Sequence, residues 1–71
     1  MTTLQLKGRG VELTLFAPRF VQGGVEAHAF LSSAPLTRRR TLHADDNTRF
    51  TAPKGLPQGF RLGRVFLPLE G

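Results

Sequence analysis

Apolar residues recur at every second position along most of this chain, which is the periodicity of half-buried β-strands. Thr3-Leu4-Gln5-Leu6-Lys7 alternates with Leu4 and Leu6 on one face, and Val11-Glu12-Leu13-Thr14-Leu15 alternates again with Val11, Leu13 and Leu15 inward. Gly8-Arg9-Gly10 lies between them, where glycine supplies the positive φ of a tight hairpin turn. This first hairpin ends near Ala17-Pro18, because proline cannot donate to a ladder. Gly23-Gly24 restarts the chain, and Val25 to Leu31 places Val25, Ala27, Ala29 and Leu31 on one face. Glu26, His28 and Phe30 fall on the other face, so the pattern predicts a strand covered on both sides, with a partner subunit as one way to cover it.

The pattern weakens at Leu36-Thr37-Arg38-Arg39-Arg40-Thr41-Leu42-His43. As a strand, this segment puts Arg38 and Arg40 on the same side as Leu36 and Leu42, which a dry core does not allow. A short helix with Ser33 as N-cap and Pro35 in its first turn is the alternative, but Leu36 and Leu42 make no helical stripe. The favoured expectation is an edge strand with its arginine-bearing centre facing solvent. Ala44-Asp45-Asp46-Asn47 reads as a turn whose side chains cap their own backbone, and Thr48–Ala52 as the returning strand with Phe50 inward. Two prolines and two glycines make residues 53–59 a loop. The last strand runs from Phe60 to about Leu69, and a bulge at Gly63-Arg64 puts Phe60, Leu62, Val65, Leu67 and Leu69 on one face.

Five or six short strands separated by Gly/Pro turns predict an all-β fold. In 71 residues the forms that fit are an SH3-like or OB-like open barrel, or a curled antiparallel sheet completed by oligomerisation. One small domain is all this length allows, and its core is small. Cysteine is absent, so no disulfide or thiolate–metal site reinforces it, and a homo-oligomer is the expected source of further burial. No apolar run is long enough for a membrane-spanning helix and the first ten residues hold no signal-peptide core, so no membrane partner and a cytoplasmic location are expected.

Charge changes the picture most. Ten Lys and Arg residues face five Asp and Glu, for a net charge of +5. Such a field favours nucleic acid, acidic proteins or anionic surfaces. Arg outnumbers Lys eight to two, and there is no Ile or Tyr, the composition expected of a GC-rich gene, whose codons would favour arginine over lysine. The excess of base over acid does not follow from that. Arg38, Arg39 and Arg40 form the densest cluster, and pairing of Arg49 back toward them makes a basic β-hairpin suited to phosphates. Arg61 and Arg64 extend this expected nucleic-acid-binding set, with Lys7 and Arg9 as further neighbours. A charged edge that only blocks aggregation is the plain alternative. Phe16, Phe20 and Phe30 fall off the inferred inner faces and form a possible base-stacking platform or protein interface.

Nothing points to catalysis. His28, His43, Asp45 and Asp46 have no recognised ligand spacing, and Ser32-Ser33 lies in no nucleophile context. No enzyme activity, cofactor or metal is therefore expected. The leading expectation is a small basic protein that binds DNA or RNA through phosphates. The second is a protein–protein interaction module: an inhibitor, adaptor or virion component of a phage or other mobile element, bound to an acidic surface.

Overall fold

In the computed structural model, which describes residues 2–70, the chain forms seven antiparallel β-strands and no helix. They are β1 (Thr3–Gly8), β2 (Val11–Phe16), β3 (Arg19–Val21), β4 (Gly24–Ser32), β5 (Arg40–His43), β6 (Arg49–Ala52) and β7 (Gly59–Pro68). β1 and β2 make the hairpin expected from their alternation, closed by Gly8 opposite Val11. The remaining order across the sheet is β3-β4-β2-β1-β5-β6, and β7 lies along the other side of β4. The sheet curls until a Phe50–Leu69 bridge and a hydrogen bond from Glu70 N to Arg49 O (2.9 Å) join the end of the chain to β6. The result is a small open half-barrel.

Two irregularities fall at one level, and this line shapes the whole sheet. β2 and β3 pair with β4 in one uninterrupted register, from Leu13 opposite Ser32 to Val21 opposite Gly24. They are two halves of one strand, interrupted where Pro18 removes an amide donor and Ala17 takes a positive φ of 51°. At the same level β4 shifts register against β7 between Ala27 and Ala29, and Gly63 and Arg64 supply the extra residue. The expected bulge is present. Gly63 has φ 152°, a conformation open to glycine at little cost.

The buried face of the sheet changes across this line. Val25 and Ala27 are buried on β4, Ala29 and Phe30 are both buried at the changeover, and beyond it Ser32 is buried while Leu31 is 41% exposed. Phe30, expected on the outer face, is only 7% exposed and belongs to the core. On β7, Val65 and Leu67 point inward as expected, whereas Phe60 (55%), Leu62 (83%) and Leu69 (48%) are exposed. Uniform alternation cannot anticipate this: Phe60, Leu62, Val65 and Leu67 lie opposite Leu31, Ala29, Ala27 and Val25 and share one face, and the curl of the sheet buries that face at one end and exposes it at the other.

The arginine segment is also shorter and more central than an edge strand. Only Arg40–His43 joins the sheet, and β5 lies between β1 and β6. Residues 33–39 are irregular, yet Leu36 is buried and its amide donates to Leu56 O at 3.0 Å across the facing loop. Leu6, Leu13, Leu15, Leu42, Phe50 and Leu67 complete the tightly buried set. Full burial of such side chains stabilises by roughly 1.5–3 kcal/mol each before the entropy of ordering is subtracted.

The face reversal has a direct test. Phe30→Ala should destabilise by about 3–5 kcal/mol in urea denaturation. Phe20→Ala, at a ring 68% exposed, should cost far less. Equal losses from the two substitutions would show that the inward face has been misassigned.

Candidate functional site

Alternation places a basic row on the outside of the core. Lys7 lies opposite His43, and His43 opposite Arg49, so three polar side chains cross β1, β5 and β6 in one line. Their immediate neighbours Leu6, Leu42 and Phe50 are buried. Hydrophobic burial of one set therefore fixes the outward direction of the other. This is the local reason the site exists.

Around that row lies an open depression of about 990 Å³, with walls formed by the Gly8-Arg9 turn, by Arg38, Arg39, Arg40 and Thr41, and by Glu70. It collects six of the ten Lys and Arg side chains and one of the five carboxylates. Among the described residues the one ion pair within 4 Å is Arg19–Glu26 at 3.7 Å, and neither member lines the groove. Arg38 and Arg39 are exposed. Arg40 is half-buried, with Nη1 donating to Arg9 O at 2.9 Å, and this contact ties β5 to the β1–β2 turn. Its Nε is buried and has no hydrogen-bond partner among the described residues. Thr41 Oγ1 donates to Glu70 Oε2 at 2.8 Å, so the groove's carboxylate is held by a hydroxyl.

The floor of the groove follows a thin seam. β1 and β5 share one register pair, Lys7–His43, and approach so closely at Gly8 that a Cβ there would lie 2.5 Å from Leu42 Cδ2 and 3.0 Å from Thr41 O. A side chain at this position would have to displace the Leu42 side chain and press on the Thr41 carbonyl. Beyond β5 the chain turns tightly: Asn47 N donates to Ala44 O (3.0 Å) and Thr48 N to Asp46 Oδ1 (3.0 Å). This is the capped turn expected from Asp45, Asp46 and Asn47, and it sets β6 so that Arg49 faces the groove. Hydrogen bonds from Thr48 hold the Asp46 carboxyl below its ordinary 3.8.

The candidate residues thus divide into groups. Arg38, Arg39, Arg40 and Arg49 meet in one groove, joined by Lys7, Arg9 and His43. Arg61 and Arg64 do not line it: they lie exposed on β7, Arg61 opposite Phe30 and Arg64 at the bulge. No phenylalanine lines the groove either. Phe16 meets Phe60 edge-on (centroids 5.6 Å apart), Phe20 tilts against Phe50 (6.3 Å), and Phe30 is in the core. Sequence reasoning did not include His43 in the cationic set or Glu70 beside it. The alternation of His43 with Leu42 was a usable signal, whereas nothing local marked Glu70. Among the described residues no group of three His, Cys, Asp or Glu side chains could hold a metal ion, and no helix is long and apolar enough to cross a membrane.

Comparison with known proteins gives no kinship: no family model, no curated protein and no solved structure matches the chain.

Two measurements test this geometry. Gly8→Ala should open the β1–β5 seam and destabilise by about 1–3 kcal/mol, the usual cost of overpacking; unchanged stability would mean the strands are not in close contact. The second concerns Asp46, whose folded-state pKa is lowered. Its contribution to stability is complete above pH 3.8 and is lost as pH falls through the lower folded value. Asp46→Asn should remove that acid-range dependence, and an NMR titration should place the carboxyl midpoint below 3.8.

Proposed function

We propose that this protein binds nucleic acid through the phosphates, using the groove formed by Lys7, Arg9, Arg38, Arg39, Arg40 and Arg49. The observation that carries this reading is the convergence of six cationic side chains, from three strands, a turn and an irregular segment, on one depression with a single carboxylate among the described residues. Guanidinium forks match phosphate oxygens in bidentate fashion, and several such contacts release condensed counterions. The position of β5 inside the sheet favours this over a charged edge that only blocks aggregation, since the cluster flanks an interior strand. A cytoplasmic protein of net charge +5 would meet such a polyanion readily.

The groove also suggests how the polymer is held. With no aromatic ring of Phe, Tyr or Trp along it, base stacking supplies little, so backbone phosphates carry the affinity and sequence matters little. Arg61 and Arg64, remote from the groove, are not part of this contact. Glu70 opposes the bound anion, and Thr41 limits that opposition by engaging its carboxylate.

Fluorescence anisotropy with labelled single- and double-stranded DNA and RNA, at two salt concentrations, tests the proposal. If the groove neutralises about six phosphates, affinity for duplex DNA should fall by roughly a thousandfold between 50 and 200 mM salt. Replacing Arg38, Arg39 and Arg40 with Gln should reduce the logarithmic salt slope by roughly 2–3. Glu70→Gln should tighten binding a fewfold, and Arg61→Gln/Arg64→Gln should leave the slope nearly unchanged. Failure to bind any of these polymers at low salt would overturn the proposal.

A further inference from the structure

β7 is an edge strand, and it carries the two arginines that the groove leaves out. One side of it pairs with β4 along its length, and on the other side its tail meets Phe50 through Leu69. Arg61, Leu62, Gly63 and Arg64 are four consecutive exposed residues, so no loop covers this stretch. The register also builds an apolar outer face beside it. Phe16, Ala29 and Leu62 form one cross-strand row, and Thr14, Leu31 and Phe60 form the next. Leu62 is 83% exposed and Phe60 55% exposed, with Phe16 packed edge-on against Phe60. Large apolar side chains gathered beside a free backbone edge are the two elements of strand addition.

We infer that the free edge of β7 accepts an extended strand of a partner protein in which apolar residues alternate with acidic ones. Backbone groups of the incoming strand pair with residues 60–64. Its apolar side chains continue the face of Phe60 and Leu62, and its carboxylates meet Arg61 and Arg64. Charge decides between this occupant and a second copy of the chain. Antiparallel self-pairing that keeps Phe60 and Leu62 of both copies on one side sets Arg61 directly opposite, or diagonal to, the Arg61 of the other copy. Like charges so placed are destabilising, and each copy brings a net charge of +5. The arginines that discourage self-association at this edge are the ones that suit an acidic strand.

The probe is a synthetic eight-residue peptide alternating valine and glutamate, with blocked ends, and the control carries lysine in place of glutamate. Both are titrated into the ¹⁵N-labelled full chain while light scattering follows mass. The Val/Glu peptide should perturb the amides of residues 59–65 and slow their hydrogen exchange, and the Val/Lys peptide should not. Leu62→Glu, at a site too exposed to threaten folding, should weaken binding at least tenfold. Arg61→Glu/Arg64→Glu should reverse the preference between the two peptides. The inference is overturned if neither peptide binds, if both bind equally, or if the perturbations are confined to the groove at residues 38–49. It is equally overturned if the free protein dimerises with its β7 amides already protected.

Discussion

The line at which β2 gives way to β3 and β7 bulges against β4 holds the rest of the structure in place. A regular sheet of strands this short cannot enclose a core, because flat alternation presents one apolar face to water. The interruption at Ala17-Pro18 and the extra residue at Gly63-Arg64 bend three neighbouring strands together. On one side of the bend Leu13, Leu15 and Phe30 fill the interior, and on the other Val25, Ala27, Val65 and Leu67 do so. The same reversal turns Leu31, Phe60 and Leu62 outward. The apolar patch is therefore a geometric consequence of closing the core with so few residues.

A second constraint acts at the opposite side of the half-barrel. β1 and β5 are held by a single register pair and by close packing of Gly8 on Leu42, with Arg40 bridging to Arg9 above the seam. Phe50, Leu42 and Leu6 anchor three strands from beneath, and this presents Lys7, His43 and Arg49 side by side. Electrostatics alone would separate these side chains, because among the described residues no ion pair holds them in place. Their proximity is imposed by the core, and hydrophobic burial supplies the energy that offsets the repulsion.

Much of this could be read from the sequence, and the parts that could not have identifiable causes. The first hairpin, the Ala44–Asn47 turn, Phe50 inward and the bulge at Gly63-Arg64 all follow from local alternation and turn chemistry, which act over a few residues. The all-β class follows with them. What escaped was non-local. Whether β5 lies at an edge depends on β1, more than thirty residues away, and Arg40–His43 bears no mark of that pairing. Arg38 and Arg40 shared a predicted face with leucines, and the conflict was real: the chain resolves it by leaving 33–39 out of the ladder and half-burying Arg40 at the groove wall. Phe30 was misplaced because the curl of the sheet moves the buried face from one side of β4 to the other, and the strand's own sequence shows no irregularity. β3 was missed because three residues after a proline carry no readable period.

Composition and arrangement answer different questions about the arginines. Codon bias of the kind a GC-rich gene imposes would favour Arg over Lys equally at every basic position. It does not account for six of ten basic side chains lining one depression while a single carboxylate does so. Nor does it account for Arg61 and Arg64 standing apart on β7, beside exposed Phe60 and Leu62. The two groups sit on different strands and have different neighbours: polar walls and a hydroxyl-held Glu70 in one case, an apolar face and a free backbone edge in the other. Only the second offers the directional hydrogen bonds and alternate side-chain contacts that recognise an extended polypeptide. The first concentrates the positive charge. A chain of 71 residues thus has room for two surfaces of different chemistry because a curled sheet exposes its outer face on both flanks of one core.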